Sequence, residues 1–105
     1  METKRVAFLI EKSDDCWEGV RSTLGLLVEN FWAAAFIIDC PVELPASKSE
    51  EEFQENLEML VEDLEGEVYS NVQANVDRFE YLEYMSLEDM AAKIKEYELV
   101  VPFGG

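Results

Sequence analysis

Two uninterrupted apolar runs, one on each side of an amphipathic stretch, set the strongest limit on the fold. The first is Arg5-Val-Ala-Phe-Leu-Ile-Glu11, with no polar residue between its charged ends. A run this short, bounded by charge, reads as a strand covered on both faces. The second, Ala33-Ala-Ala-Phe-Ile-Ile-Asp39, reads the same way. Between them Val20, Leu24, Leu27, Val28 and Phe31 fall on one helical stripe. Strand, helix, strand with both strands buried implies a parallel pair joined by a helical crossover.

The pattern continues down the chain. Asp15, with Glu18 three residues on, is expected to cap the first helix, and Asn30 to end it in a left-handed conformation. Two prolines, Pro41 and Pro45, mark the loop after the second strand. Ser49 with Glu52 repeats the capping pattern before a helix carrying Phe53, Leu57, Leu60, Val61 and Leu64 inward. Its outer face bears Glu51, Glu55, Glu58, Glu62 and Glu65, and Gly66 fits its C-terminal cap. Residues 67–72 read as a shorter strand, and residues 73–85 as a loop plus a short helix. Ser86 can cap a last helix with Leu87, Met90, Ala91, Ile94 and Tyr97 inward. Leu99–Phe103 closes as a strand, where Pro102 points to an edge or an end. The expected order is β-α-β-α-β-α-α-β over a single domain, 1–105. It implies a three-layer α/β/α sandwich with a mainly parallel sheet of four to five strands.

Composition excludes several functions. The 105 residues hold 24 acidic and 8 basic side chains, a formal net charge of −16, and no histidine. The basic residues are scattered, so no stripe forms against phosphates, and neither nucleic acid nor an anionic membrane surface is an expected partner. Without histidine the Ser-His-Asp triad, the Cys-His pair and the usual catalytic zinc sites are gone. Cys16 and Cys40 form no CxxC, so no metal site and no cofactor are expected. No apolar run reaches the ~20 residues of a membrane span, and no signal peptide is read at the N-terminus, which makes the expected location cytoplasmic. The charge reads as a solvated acidic face and, more sharply, as a docking surface for a basic partner protein.

A ligand in an open α/β sheet binds outside the carboxyl ends of the strands. Loops 12–18, 40–48 and 71–78 lie there. They supply Ser13, Cys16, Trp17, Cys40, Asn71 and Asn75 as candidate site residues. Cys16 stands near a helix N-terminus, which lowers a thiol pKa, but Asp14, Asp15 and Glu18 oppose that effect. Both cysteines are expected free, with Cys16 the more accessible. Asp14 and Asp15 read as capping residues rather than a metal pair. Neither GxGxxG nor GxxxxGK[ST] occurs, and a receiver-type phosphoacceptor Asp is replaced at the third strand's end by Asn71 and Val72.

Three stretches carry a family resemblance: KRVAFLIEKSDDCWEGVRSTLGLLVEN, the strand AAAFIID with its proline-bearing loop, and YLEYMSLEDMAAKIKEYELVVPF. Together they resemble the DsrE/DsrF-like family of small sulfur-relay proteins, which includes the TusD type. The resemblance implies a five-stranded or nearly five-stranded parallel sheet, assembly into oligomers, and in some members a persulfide on a cysteine after the third strand. Here residues 71–85 read NVQANVDRFEYLEYM, without cysteine, so no catalytic residue carries over. The expected function is a DsrE-like accessory or binding protein linked to sulfur metabolism and without catalysis. The alternatives are a sulfur carrier using Cys16, with Ser13 and Trp17 shaping its pocket, and a small-ligand or nucleotide-binding module at the strand-end cleft. Val76, Phe79, Tyr81, Leu82, Tyr84 and Met85, with Arg78 among them, suggest a homo-oligomer interface.

Overall fold

The computed structural model describes residues 4–103. Its strands are β1 (Arg5–Ile10), β2 (Trp32–Ile37), β3 (Glu67–Ser70), β4 (Glu83–Tyr84) and β5 (Leu99–Phe103). Its helices are α1 (Cys16–Val28), α2 (Glu50–Glu58), α3 (Gln73–Arg78) and α4 (Leu87–Ile94). A 3-10 turn, Ser13–Asp15, leads into α1, and α2 runs on through a wider π-type turn, Met59–Asp63. All pairings are parallel, in the order β4-β3-β2-β1-β5. The expected α/β/α sandwich is the architecture found.

Alternation along the strands explains the layers. Ile10, Ala35, Ile37 and Val68 point to one face, where they meet Val20 and Leu24 of α1 and Phe53 and Leu57 of α2. Ala7, Ala34, Phe36 and Tyr69 point to the other, where Met90 of α4 covers them and Ile94 and Tyr97 pack alongside. Gly19 is required by the first layer. A Cβ there would run into the Ile10 side chain, which lies directly under the helix.

Local details correct several expectations. β4 was not foreseen. The chain leaves α3, turns at Tyr81 with φ 72°, and adds two residues beside β3. Asp15 does not cap α1 through its side chain, because its own backbone is already helical. Ser49 and Ser86 do cap, each accepting from the amide three residues on, at 3.1 Å in both cases. Each such cap stabilises its helix by about 1 kcal/mol. Asn30 is left-handed as expected (φ 70°), but after α2 the left-handed residue is Glu65 (φ 58°), not Gly66. Gly66 instead makes room for Leu27 and Leu60, whose side chains a Cβ would strike. Val28, Leu87 and Ala91, expected inward, are exposed. α1 and α4 thus bury narrower stripes than their apolar residues span.

β5 is the edge strand that Pro102 suggested. Trp32 donates its amide to the Lys4 carbonyl and Ile38 to that of Ile10, so the even residues of β1 face β2. The odd ones face β5. Because Ala7 is in register with Val100, and Leu9 with Pro102, the groups of Leu99 and Val101 turn inward, while those of Val100 and Pro102 face outward. Pro102 thus removes a donor from the free edge without breaking a bond to β1.

Candidate functional site

The carboxyl ends of β1, β2 and β3 bring the candidate residues into one region, and their hydrogen bonds show what each does. The β1–α1 and β2–α2 loops are tied together where the Glu43 amide donates to the Ser13 carbonyl at 3.2 Å. Asn71 and Asp39 form a reciprocal clasp. The Asp39 amide donates to Asn71 Oδ1 at 2.8 Å, and Asn71 Nδ2 donates to Asp39 Oδ1 at 2.7 Å. The clasp holds Asp39 in its left-handed conformation (φ 56°).

Asn75 lies deeper, 1 % exposed. Its Oδ1 accepts from the Val42 amide at 2.9 Å. Its Nδ2 donates to the Cys40 carbonyl at 2.9 Å and to Ser70 Oγ at 3.1 Å. One side chain therefore satisfies the backbone of a proline-rich loop that makes no regular secondary structure, which is the demand any buried irregular segment must meet. Three of its four hydrogen-bonding positions are taken by protein groups, and its burial closes it to solvent.

The two thiols meet beneath these loops. Cys16 is 0 % exposed and Cys40 is 6 % exposed, so the expected order of accessibility is reversed and neither is open. Both are free thiols. Cys16 Sγ donates to the Lys12 carbonyl at 3.9 Å, and Cys40 Sγ to the Ile10 carbonyl at 3.7 Å. Burial pushes the Cys16 thiol up to about 12, and the neighbouring Cys40 adds to the rise. Cys40 is raised too, again mainly by burial, although hydrogen bonds from Cys16 and Ser13 partly offset this. At neutral pH both are protonated, and the thiolate needed for nucleophilic attack is scarce.

Trp17 is half-buried. It packs against Phe53 with ring centroids 6.3 Å apart, and Lys48 Nζ lies 5.1 Å from its ring centroid. It lines the α1–α2 groove and packs against the core layer that also holds both cysteines. Sequence reasoning missed the role of Arg78. Its guanidinium binds Glu50 at 2.6 Å, donates to the Val42 carbonyl at 2.7 Å and lies over Phe79. Phe79 and Leu82 are buried, and Val76, Tyr81 and Met85 half-buried, so of the apolar and aromatic residues suggested for an interface Tyr84 alone stands out, at 51 % exposed.

Among the described residues, no group of three or more histidine, cysteine, aspartate or glutamate side chains could hold a metal ion, and no helix is long and apolar enough to cross a membrane. Compared with protein-family models, curated proteins and solved structures, the chain matches none.

Proposed function

We propose that this chain is an accessory or binding protein of DsrE-like design that works without carrying sulfur covalently. The observation behind this reading is the condition of Cys16. A persulfide carrier needs a thiolate that a donor and an acceptor can both reach. Cys16 is sealed under the loops and its thiol is pushed up to about 12. The segment after β3, where the resembled family places its sulfur-bearing cysteine, supplies Asn71 and Asn75, whose amides clasp the neighbouring loop. The strand-end rim is in this way fastened together by its own polar groups. The carboxylates on the outer face of α2, Glu51, Glu55 and Glu58, are exposed and offer a basic partner a surface of opposite sign.

The test uses intact masses after incubation with a persulfide donor. Wild type, Cys16→Ser and Cys40→Ser are expected to gain no sulfur. A one-sulfur adduct on native wild type that disappears only in Cys16→Ser would make the protein a carrier and overturn the reading.

A further inference from the structure

A cleft between α1 and α2 carries groups that the folded chain leaves unused. Trp17 and Arg21 come from α1, Lys48 from the loop before α2, and Glu52, Glu55 and Asn56 from α2. They line an open cleft of about 310 Å³. Among the described residues Arg21 and Lys48 make no ion pair, although two carboxylates line the same cleft and acidic groups outnumber basic ones three to one in the chain. Arg21 Nη1 instead donates to Asn56 Oδ1 at 3.3 Å, and Lys48 rests over Trp17. Asn56 is 8 % exposed, and its Nδ2 has no hydrogen-bond partner among the described residues. An orphaned buried amide donor destabilises the fold, a cost that an arriving acceptor relieves.

The charges define the ligand. Arg21, Lys48, Glu52 and Glu55 sum to zero, with cations and anions in one cleft. A simple anion would meet both glutamates and the repulsion of the whole −16 chain. A simple cation would leave Arg21 and the Asn56 amide unserved. We propose that the cleft binds a small zwitterion of the α-amino-acid class with an apolar side chain. Its carboxylate takes Arg21 and, as that exposed side chain swings aside, Asn56 Nδ2. Its ammonium takes Glu52 and Glu55, and its side chain displaces the exposed Lys48 from over the Trp17 ring and covers it in its place. The proposal rests on the reading of the chain as a binding protein and gives that reading a ligand class.

The probes are L-leucine, L-phenylalanine and L-methionine, titrated against the Trp17 fluorescence of a Trp32→Phe protein. 4-Methylpentanoate, which lacks the ammonium, and isoamylamine, which lacks the carboxylate, are run alongside. At least one amino acid is expected to saturate the signal below about 20 mM, with both controls weaker by about tenfold or more, the loss of one charge-assisted contact. Arg21→Ala, at an exposed position, is expected to weaken binding about tenfold with circular dichroism unchanged, and Asn56→Ala to do the same if it folds. Absence of saturation with all three amino acids, equal binding of either control, or an unchanged Arg21→Ala would overturn the proposal. No thiol takes part, so failure here is separate from the persulfide result.

Discussion

Asn75 Nδ2 lies 2.9 Å from the carbonyl oxygen of Cys40, thirty-five residues back in the chain, and the same side chain accepts from the Val42 amide. The β2–α2 loop is therefore held from the β3–α3 side by one buried carboxamide. Asn75→Ala leaves a buried carbonyl and a buried amide unpaired, and is expected to destabilise the protein by about 2–4 kcal/mol. Urea unfolding followed by circular dichroism measures this. A midpoint within error of wild type would show that the loop is held by other contacts.

The thiols make alkaline pH a point of weakness. Cys16 is raised from its ordinary 9.0 to about 12, so in that window the folded chain keeps a proton that the unfolded chain has released. Stability accordingly falls as pH rises through this interval and is untouched by this group below it. Tyr69 and Tyr97 act in the same direction. Burial and the carboxylate of Glu67 raise both above the usual tyrosine value. Calorimetry is expected to give a Tm unchanged by these groups between about pH 7 and 8 and falling above about pH 9. A Tm that stays flat to about pH 11 would contradict the assignment.

Burial also predicts slow alkylation. In native protein at about pH 8, iodoacetamide is expected to modify Cys16 far more slowly than in urea, with Cys40 reacting ahead of it. Peptide mapping by mass spectrometry gives the order. Rapid native labelling of Cys16 would mean that the loops open readily.

Gly19 and Gly25 sit on the same helix and are expected to respond oppositely to alanine. At Gly19 the new methyl lies 2.7 Å from Ile10 Cγ1 and closer still to Cδ1, so Gly19→Ala is expected to cost about 1–3 kcal/mol. At Gly25 nothing lies within 4 Å. There the gain in helix propensity stands alone, and stability is expected to rise by about 0.5–1 kcal/mol. Thermal melts of the two variants decide the matter, and a shift of the same sign in both would refute it.

Pro102 faces the open side of the sheet, and Pro102→Val restores a donor there. Self-association through β5 is expected to increase, read by light scattering at equal concentration, with the circular dichroism of dilute samples unchanged. Unaltered mass at every concentration would mean that charge alone keeps the edges apart.

The sequence made the sheet's centre readable because β1 and β2 are buried on both faces, and burial on both faces leaves an unbroken apolar run. Ser49, Ser86 and Asn30 were readable because capping and left-handed termini depend on neighbours within four residues. β4 was not, since two residues have no period and their pairing with Tyr69 and Ser70 is decided by tertiary contact. Topology placed the candidate residues of the strand-end loops at the carboxyl edge of the sheet, where the structure has them. Their partners could not be read, because Asn75 reaches Cys40 and Arg78 reaches Glu50 only after the chain has crossed between strands. Asp15 misled because a good capping residue lost its position to a preceding 3-10 turn.

The strand order has a consequence for how the chain is made. β1 to β4 are laid down side by side in the order in which they leave the ribosome, each new strand joining the one just finished. β5 alone must return, by way of α4, across the face opposite α1 and α2 to the far side of β1. Until Leu99–Phe103 emerges, β1 is an open edge in a strand that carries Val6, Phe8 and Ile10. Arrest or truncation ahead of Leu99 would leave that edge free to pair with another unfinished chain, so β5 seals the sheet against partial products as well as bordering it.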